Sequence, residues 1–316
     1  VNIPNANLPF PILTEKDKAD IQFAVQHNFD FVCASFVKTA NDVLSVKNLL
    51  RNSNVGIISK IENREGVKNF DDIMKESDAI MIARGDLGVE MNFEVVPILQ
   101  KQFIYKCRMA GKPVIVATQM LESMTSNINP TRAEVSDVAN AVMDGADCLM
   151  LSAETSTGKY PLESVIAMHK SILASESVMR PTPINGNTDA GIDTDQIALS
   201  LFSISQKLPI KAVIVISDNQ STVGSISRHR FNIPIYVVSS HLSSIRKNDL
   251  YNAVKTCYIP NLSSDRDNAV KDAVEHIYAL GEFNFSDKVA IISGSSIKNR
   301  KEDSILEITV VKDILQ

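Results

Sequence analysis

The segment Ile57-Ile58-Ser59-Lys60-Ile61-Glu62-Asn63 sets a lysine and a carboxylate two residues apart in a β-branched, apolar run. On a strand such residues share one side, about 6–7 Å apart along the chain. Charges there are costly unless solvated or used, and a barrel leaves them the open carboxyl end, where barrel active sites lie. The same pair also reads as a structural ion pair closing a strand. Next, Ala83-Arg84-Gly85-Asp86-Leu87-Gly88 follows the apolar run 79–83. A strand passing through Gly into a short helical turn exposes backbone N–H groups that can hold a carboxylate or phosphate. Asp86 adds a second carboxylate, and Glu62 with Asp86 suits Mg²⁺, which takes one or two protein carboxylates and fills its octahedron with substrate oxygens and water. Taken singly, this turn reads as an ordinary strand-to-helix turn with Asp capping the helix. The Arg-Gly-Asp triplet also spells an adhesion motif, to which a chain without secretory features gives little support. Thr118 and Ser152 each end an apolar run. A hydroxyl there can bind a carboxylate or relay a proton, although alone each is more often a cap or turn residue. Together these residues point to a metal-assisted site for an oxyanion substrate.

The elements that must position them are short apolar runs at 31–36, 56–62, 79–83, 114–119 and 148–153, separated by stretches of helical periodicity. Continuous apolar character predicts strands buried on both faces, and their alternation with helices predicts a parallel α/β sheet, either doubly wound or part of a barrel. Thr14 with Asp17, Thr39 with Asp42, and Thr131 with Glu134 read as helix starts. The last of these opens a helix whose apolar face reads as Val135, Val138, Ala139, Val142 and Met143, with Gly145 as its stop. Residues 181–194 are rich in Pro, Asn, Gly, Thr and Asp and predict a boundary. The division is therefore 1–180 and 181–316. In the second part helices are expected at 195–208 and 265–280, with strands at 212–217, 235–238, 289–293 and 306–311.

With 316 residues, 44% hydrophobic and 22% charged, the chain is long enough for two domains with buried cores. A net charge of -5 without a dense basic run argues against nucleic-acid binding. No apolar stretch has the roughly 18 residues needed to span a membrane. Four widely spaced cysteines, Cys33, Cys107, Cys148 and Cys257, read as reduced thiols of a cytoplasmic protein. The chain opens at Val1 in what reads as mid-domain sequence, so a targeting peptide upstream stays open.

The segments 58–67, 82–90, 117–124, 130–141 and 151–155 resemble, in order and spacing, the signature segments of pyruvate kinases. The resemblance is specific over about residues 12–175 and looser beyond. It implies a partial (β/α)₈ barrel followed by a smaller α/β domain, the C-terminal two-thirds of the family's chain. It also implies phosphoryl transfer from phosphoenolpyruvate to ADP, giving pyruvate and ATP. By position Lys60 would be the catalytic lysine, also contacting substrate, and Glu62 and Asp86 would hold Mg²⁺ or Mn²⁺. Gly85, Asp86 and Thr118 would bind the substrate carboxylate, and Ser152 would belong to the proton relay. The family further implies K⁺, whose ligands lie outside this chain, and a homotetramer.

The family's first barrel strands and lid domain precede the segment matching this chain's start, so the chain reads as an incomplete copy that closes no barrel alone. Its loop 217–222, Ser-Asp-Asn-Gln-Ser-Thr, replaces the Lys-Ser-Gly-type phosphate loop of sugar-bisphosphate-activated members. Asp218 puts a negative charge where phosphate should sit, so fructose bisphosphate activation is not expected. Ser221, Thr222, Gly294, Ser295, Ser296, Lys298 and Arg300 could hold another phosphate ligand, although solvated loops are the preferred reading. The rival readings are a metal-dependent pyruvate aldolase or lyase barrel, and a non-catalytic fragment serving as an assembly or regulatory module. Lys60 two residues before Glu62, and the second domain, separate the kinase from the former.

Overall fold

The computed structural model describes residues 13–294 and 305–316. The chain divides into two compact units, with the main boundary between Met179 and Arg180. In the first, α1 (Glu15–Gln26), β1 (Phe31–Ala34), α2 (Ala40–Leu49), β2 (Gly56–Ile61), α3 (Arg64–Lys68) and α4 (Phe70–Glu76) are followed by β3 (Ala79–Ala83) and α5 (Arg84–Glu90). Then come α6 (Val96–Ala110), β4 (Val114–Ala117), a 3₁₀ turn (Glu122–Thr125), α7 (Arg132–Asp144), β5 (Cys148–Met150), α8 (Ala153–Ser156) and α9 (Pro161–Glu176). All strand pairs are parallel, in the order β1-β2-β3-β4-β5, and the sheet is open. The expected partial barrel is therefore present as five consecutive strands. Burial follows from the pairing: β3 and β4 are buried throughout, whereas the edge strands β1 and β5 are mostly half-buried.

The helix starts are as expected. Asp17, Asp42 and Glu134 each accept a hydrogen bond from the backbone N–H of the threonine three residues before, at 2.8, 3.1 and 2.7 Å. Gly145 ends α7 with φ 93°, a left-handed geometry that costs glycine little. The inward face of α7 differs from expectation. Val138, Ala141 and Val142 are buried, whereas Val135 and Met143 are exposed. Three strands are also shorter than their apolar runs by two residues or more. The chain turns left-handed at Phe36, Thr118 and Gln119 (φ 53°, 69° and 56°), which ends pairing after Ala34 and Ala117. The last run, 148–153, pairs only through Met150 and passes into α8 at Ala153. Beneath the sheet the rings of Phe70 and Phe103 stack 4.0 Å apart at 8°, joining α4 to α6. Phe70 is 1% exposed. Phe70→Ala is expected to destabilise the first unit by about 3–5 kcal/mol, read from its urea transition.

The second unit holds α10 (Ile192–Ser205), β6 (Ile210–Ile216), α11 (Gln220–Ser227), β7 (Ile235–Ser239), α12 (Leu242–Asn248) and β8 (Val254–Tyr258). It ends with α13 (Arg266–Ala279), β9 (Lys288–Ser293), β10 (Ile305–Val310) and α14 (Val311–Leu315). The sheet order is β10-β9-β6-β7-β8, parallel except for β10. Apolar runs located β6, β7, β9 and β10. They missed β8, whose Val254-Lys255-Thr256-Cys257-Tyr258 is only partly apolar, and the short helices α11, α12 and α14. The boundary segment is shorter than expected, because α10 begins at Ile192 and ends at Ser205.

A polar network is buried here. Asp195 accepts from Ser225 Oγ at 2.6 Å and from Thr188 N and Oγ1, both at 2.7 Å, and lies 3.2 Å from the Arg228 guanidinium. Beside it the fully buried His229 ring accepts from the Ile184 N–H through Nδ1 (3.3 Å). Burial, then the neighbouring Arg228 charge, pushes its pKa down to about 4. Between pH 6.5 and 4 the unfolded chain therefore binds a proton that the folded chain refuses. The second unit should lose up to about 3 kcal/mol as pH falls through that window, with no further loss from this group below it. Urea midpoints at pH 7, 5.5 and 4.5 test this, and His229→Gln should flatten that part of the profile.

All four cysteines are free thiols. No helix among the described residues is long and apolar enough to cross a membrane.

Candidate active site

The carboxyl ends of β2 to β5 carry the candidate residues in register. Ile61 pairs with Ile82, Ala83 with Ala117, and Ala117 with Met150. Glu62 thus lies one step past β2, opposite the residue from which α5 springs. Thr118 lies one step past β4 and Ser152 two past β5. One edge of a single sheet therefore gathers side chains separated by 92 positions in sequence (60 to 152).

Lys60 and Glu62 are in direct contact. Lys60 Nζ lies 2.7 Å from Glu62 Oε1 and donates to Ser35 Oγ at 3.0 Å. Glu62 is 1% exposed, and its Oε2 accepts the Phe36 N–H at 2.5 Å. The ion-pair reading is thus correct as geometry, yet the lysine remains 23% exposed at an open sheet edge. Ser35 was not picked out from sequence. It lies near the end of an apolar run, 31–36, the same signal that marks Thr118 and Ser152. Just beyond Glu62, Asn63 caps α3, accepting from the Gly66 N–H at 2.8 Å and donating to Val37 O at 3.3 Å, which ties β2 to the chain after β1.

α5 begins directly at the end of β3, with no side-chain cap. Its Gly85 N–H donates to Thr118 Oγ1 at 2.7 Å, and that hydroxyl donates to Ala117 O at 2.6 Å. A Cβ on Gly85 would stand 3.3 Å from Thr118 Oγ1, so the bare glycine permits this approach. Asp86, half-buried in the first turn, makes no side-chain hydrogen bond or ion pair among the described residues. A half-buried carboxylate without a protein partner, at the same end of the sheet as the buried Glu62, fits a hard divalent cation. Among the described residues no group of three or more His, Cys, Asp and Glu side chains gathers to hold a metal. The two carboxylates would therefore leave most of the coordination sphere to substrate and water.

Ser152 is brought to the same edge but not into contact with the others. Its N–H donates to Glu154 Oε2 at 2.8 Å, while Oε1 of that carboxylate accepts the Leu121 N–H at 3.0 Å. Glu154, 2% exposed, thus pins the loop after β4 to the loop after β5. Sequence reading passed over it because its value is its bridging position, which no local pattern reveals. In the second unit Asp218 is engaged by Ser239 Oγ and lies 3.1 Å from His241 Nδ1, and Asn219 Oδ1 caps α11. Gly294 closes β9, whereas Ser295, Ser296, Lys298 and Arg300 lie outside the described residues.

The family description "Pyruvate kinase, barrel domain" matches residues 1–165, and "Pyruvate kinase, alpha/beta domain" matches residues 195–309. The chain is 40% identical to a pyruvate kinase of Debaryomyces hansenii over 308 residues, covering 93% of this chain and 61% of that protein. It is 39% identical to a pyruvate kinase of Geobacillus stearothermophilus over 321 residues, covering 100% of this chain and 54% of that one. The crystal structure of a Cryptosporidium parvum pyruvate kinase superposes with a TM-score of 0.89 at 33% identity, over 98% of this chain and 64% of that chain. The chain therefore spans less than two-thirds of the relatives it matches.

Proposed function

The chain belongs to the pyruvate kinase family, and from that premise we propose that the complete protein transfers the phosphoryl group of phosphoenolpyruvate to ADP, forming pyruvate and ATP. The observation that carries this reading is the joint presence at one sheet edge of Lys60 against Glu62 and of the Gly85 N–H against Thr118 Oγ1. Phosphoryl transfer asks the protein mainly for positioning and charge stabilisation, which a fixed ammonium, two carboxylates and oriented donors would supply.

The Gly85 and Asp86 backbone N–H groups and the Thr118 hydroxyl receive the substrate carboxylate, the Gly85 N–H and Thr118 exchanging their present mutual bond for bonds to it. Lys60, held at 2.7 Å from Glu62, reaches toward the transferring group and stabilises charge there and on the enolate oxygen. Glu62 and Asp86 would hold Mg²⁺ or Mn²⁺, which when bound neutralises phosphoryl and enolate charge. Ser152 belongs to the region that delivers a proton to the enolate carbon. K⁺, a homotetrameric assembly and a cytoplasmic location accompany this reading as family expectations. The test is a coupled assay of pyruvate from phosphoenolpyruvate and ADP with Mg²⁺ and K⁺, run beside an intact-mass measurement. Metal-dependent turnover by the complete protein supports the proposal, and its absence overturns it.

A further inference from the structure

Thr118 and Gln119 are consecutive non-glycine residues with positive φ, 69° and 56°. For a β-branched residue this is a rare conformation, of the kind that persists only where surroundings enforce it and that gathers at functional sites. Here one side chain supplies the enforcement. The Arg84 guanidinium donates through Nε and Nη2 to Thr118 O at 3.3 and 2.8 Å, and through Nη2 to Gln119 O at 3.1 Å. Nη2 also lies 2.9 Å from Met120 Sδ. Its opposite edge is anchored: Nη1 lies 2.7 Å from Asp137 Oδ2 on α7 and 3.3 Å from Gln100 Oε1 on α6. The side chain is 10% exposed, and Gln100 is itself fixed by donating to Asp144 Oδ2. The two carbonyls are thus held by a rigid planar fork, which lysine could not reproduce.

The consequence reaches the site. With both carbonyls turned toward Arg84, the Thr118 side chain faces α5, where its hydroxyl accepts the Gly85 N–H. Arg84 is the residue before Gly85, so one side chain fixes the relative placement of the helix start and of the β4 terminus. We propose that Arg84 is a positioning residue that holds Thr118 and Gln119 left-handed and so presets the hydroxyl and amide donors for the substrate carboxylate, an inference resting on the function proposed above.

The test uses the complete protein, with Arg84→Met, Arg84→Lys and the double variant Arg84→Met/Gln119→Gly. Because glycine adopts positive φ freely, the double variant restores part of what the clamp enforced without restoring any charge. Arg84→Met should raise KM for phosphoenolpyruvate by about tenfold or more while leaving KM for ADP unchanged, Arg84→Lys should recover little, and the double variant should recover severalfold. A phosphoenolpyruvate KM unchanged in folded Arg84→Met, or a double variant no better than the single, overturns the proposal. Amide hydrogen exchange at Gly85 separates this from failure of the functional reading. At least about tenfold faster exchange in Arg84→Met supports the clamp even in a protein that turns over no phosphoenolpyruvate, and unchanged exchange overturns it.

Discussion

Lys60→Met in the complete protein should lower kcat for pyruvate formation by about 10²–10³-fold or more while leaving phosphoenolpyruvate affinity within a fewfold of the parent. The expectation follows from where the ammonium sits. It is tethered to Glu62 and Ser35 at the rim, while the proposed carboxylate donors are the Gly85 amide and the Thr118 hydroxyl. Ground-state anchoring through the carboxylate thus survives its loss. Stabilisation of charge that develops during transfer does not, because methionine matches the stem but carries no cation. Steady-state kinetics paired with equilibrium binding of phosphoenolpyruvate decide the matter. Equal loss of turnover and affinity would show Lys60 to be a binding residue and sink the assigned role.

Asp86→Asn should weaken divalent-ion binding by about a hundredfold, since the ion's affinity tracks the number of charged oxygen ligands. Asp86 is the cleaner of the two carboxylates to test. It makes no side-chain bond among the described residues, whereas Glu62→Gln would also strip Lys60 of its partner. Mn²⁺ binding followed by its paramagnetic signal reads the effect without reference to activity. Unchanged Mn²⁺ affinity in a folded Asp86→Asn protein would remove Asp86 from the metal site, whatever happened to turnover.

Neither an aldolase or lyase barrel nor a non-catalytic module is the favoured reading. Both halves of the chain match pyruvate kinase domains, and Lys60 stands beside Glu62, the pair that separates the kinase reading from the aldolase one. The length matched, 61% and 54% of two relatives, leaves the activity to be tested on the complete protein.

The residue types and spacing were enough to place Lys60, Glu62, Gly85, Asp86, Thr118 and Ser152 at strand ends. Buried parallel strands must be apolar throughout, so the first polar residues after each run stand out. The helix starts at Thr14, Thr39 and Thr131 were equally legible, because a capping side chain and its partner lie within four residues of each other. The weakly patterned β8 and the short helices of the second unit were not, since tertiary packing, not local periodicity, sustains them. The same limit hid Glu154 and Arg84. Glu154 meets the Leu121 N–H and Arg84 meets Thr118 O, 33 and 34 residues away, and only the assembly of the sheet brings each donor to its acceptor. Sequence therefore determined which groups could do the chemistry. The tertiary structure decided how they are held, because the left-handed turn at Thr118 and the bridge at Glu154 exist only where distant elements enforce them.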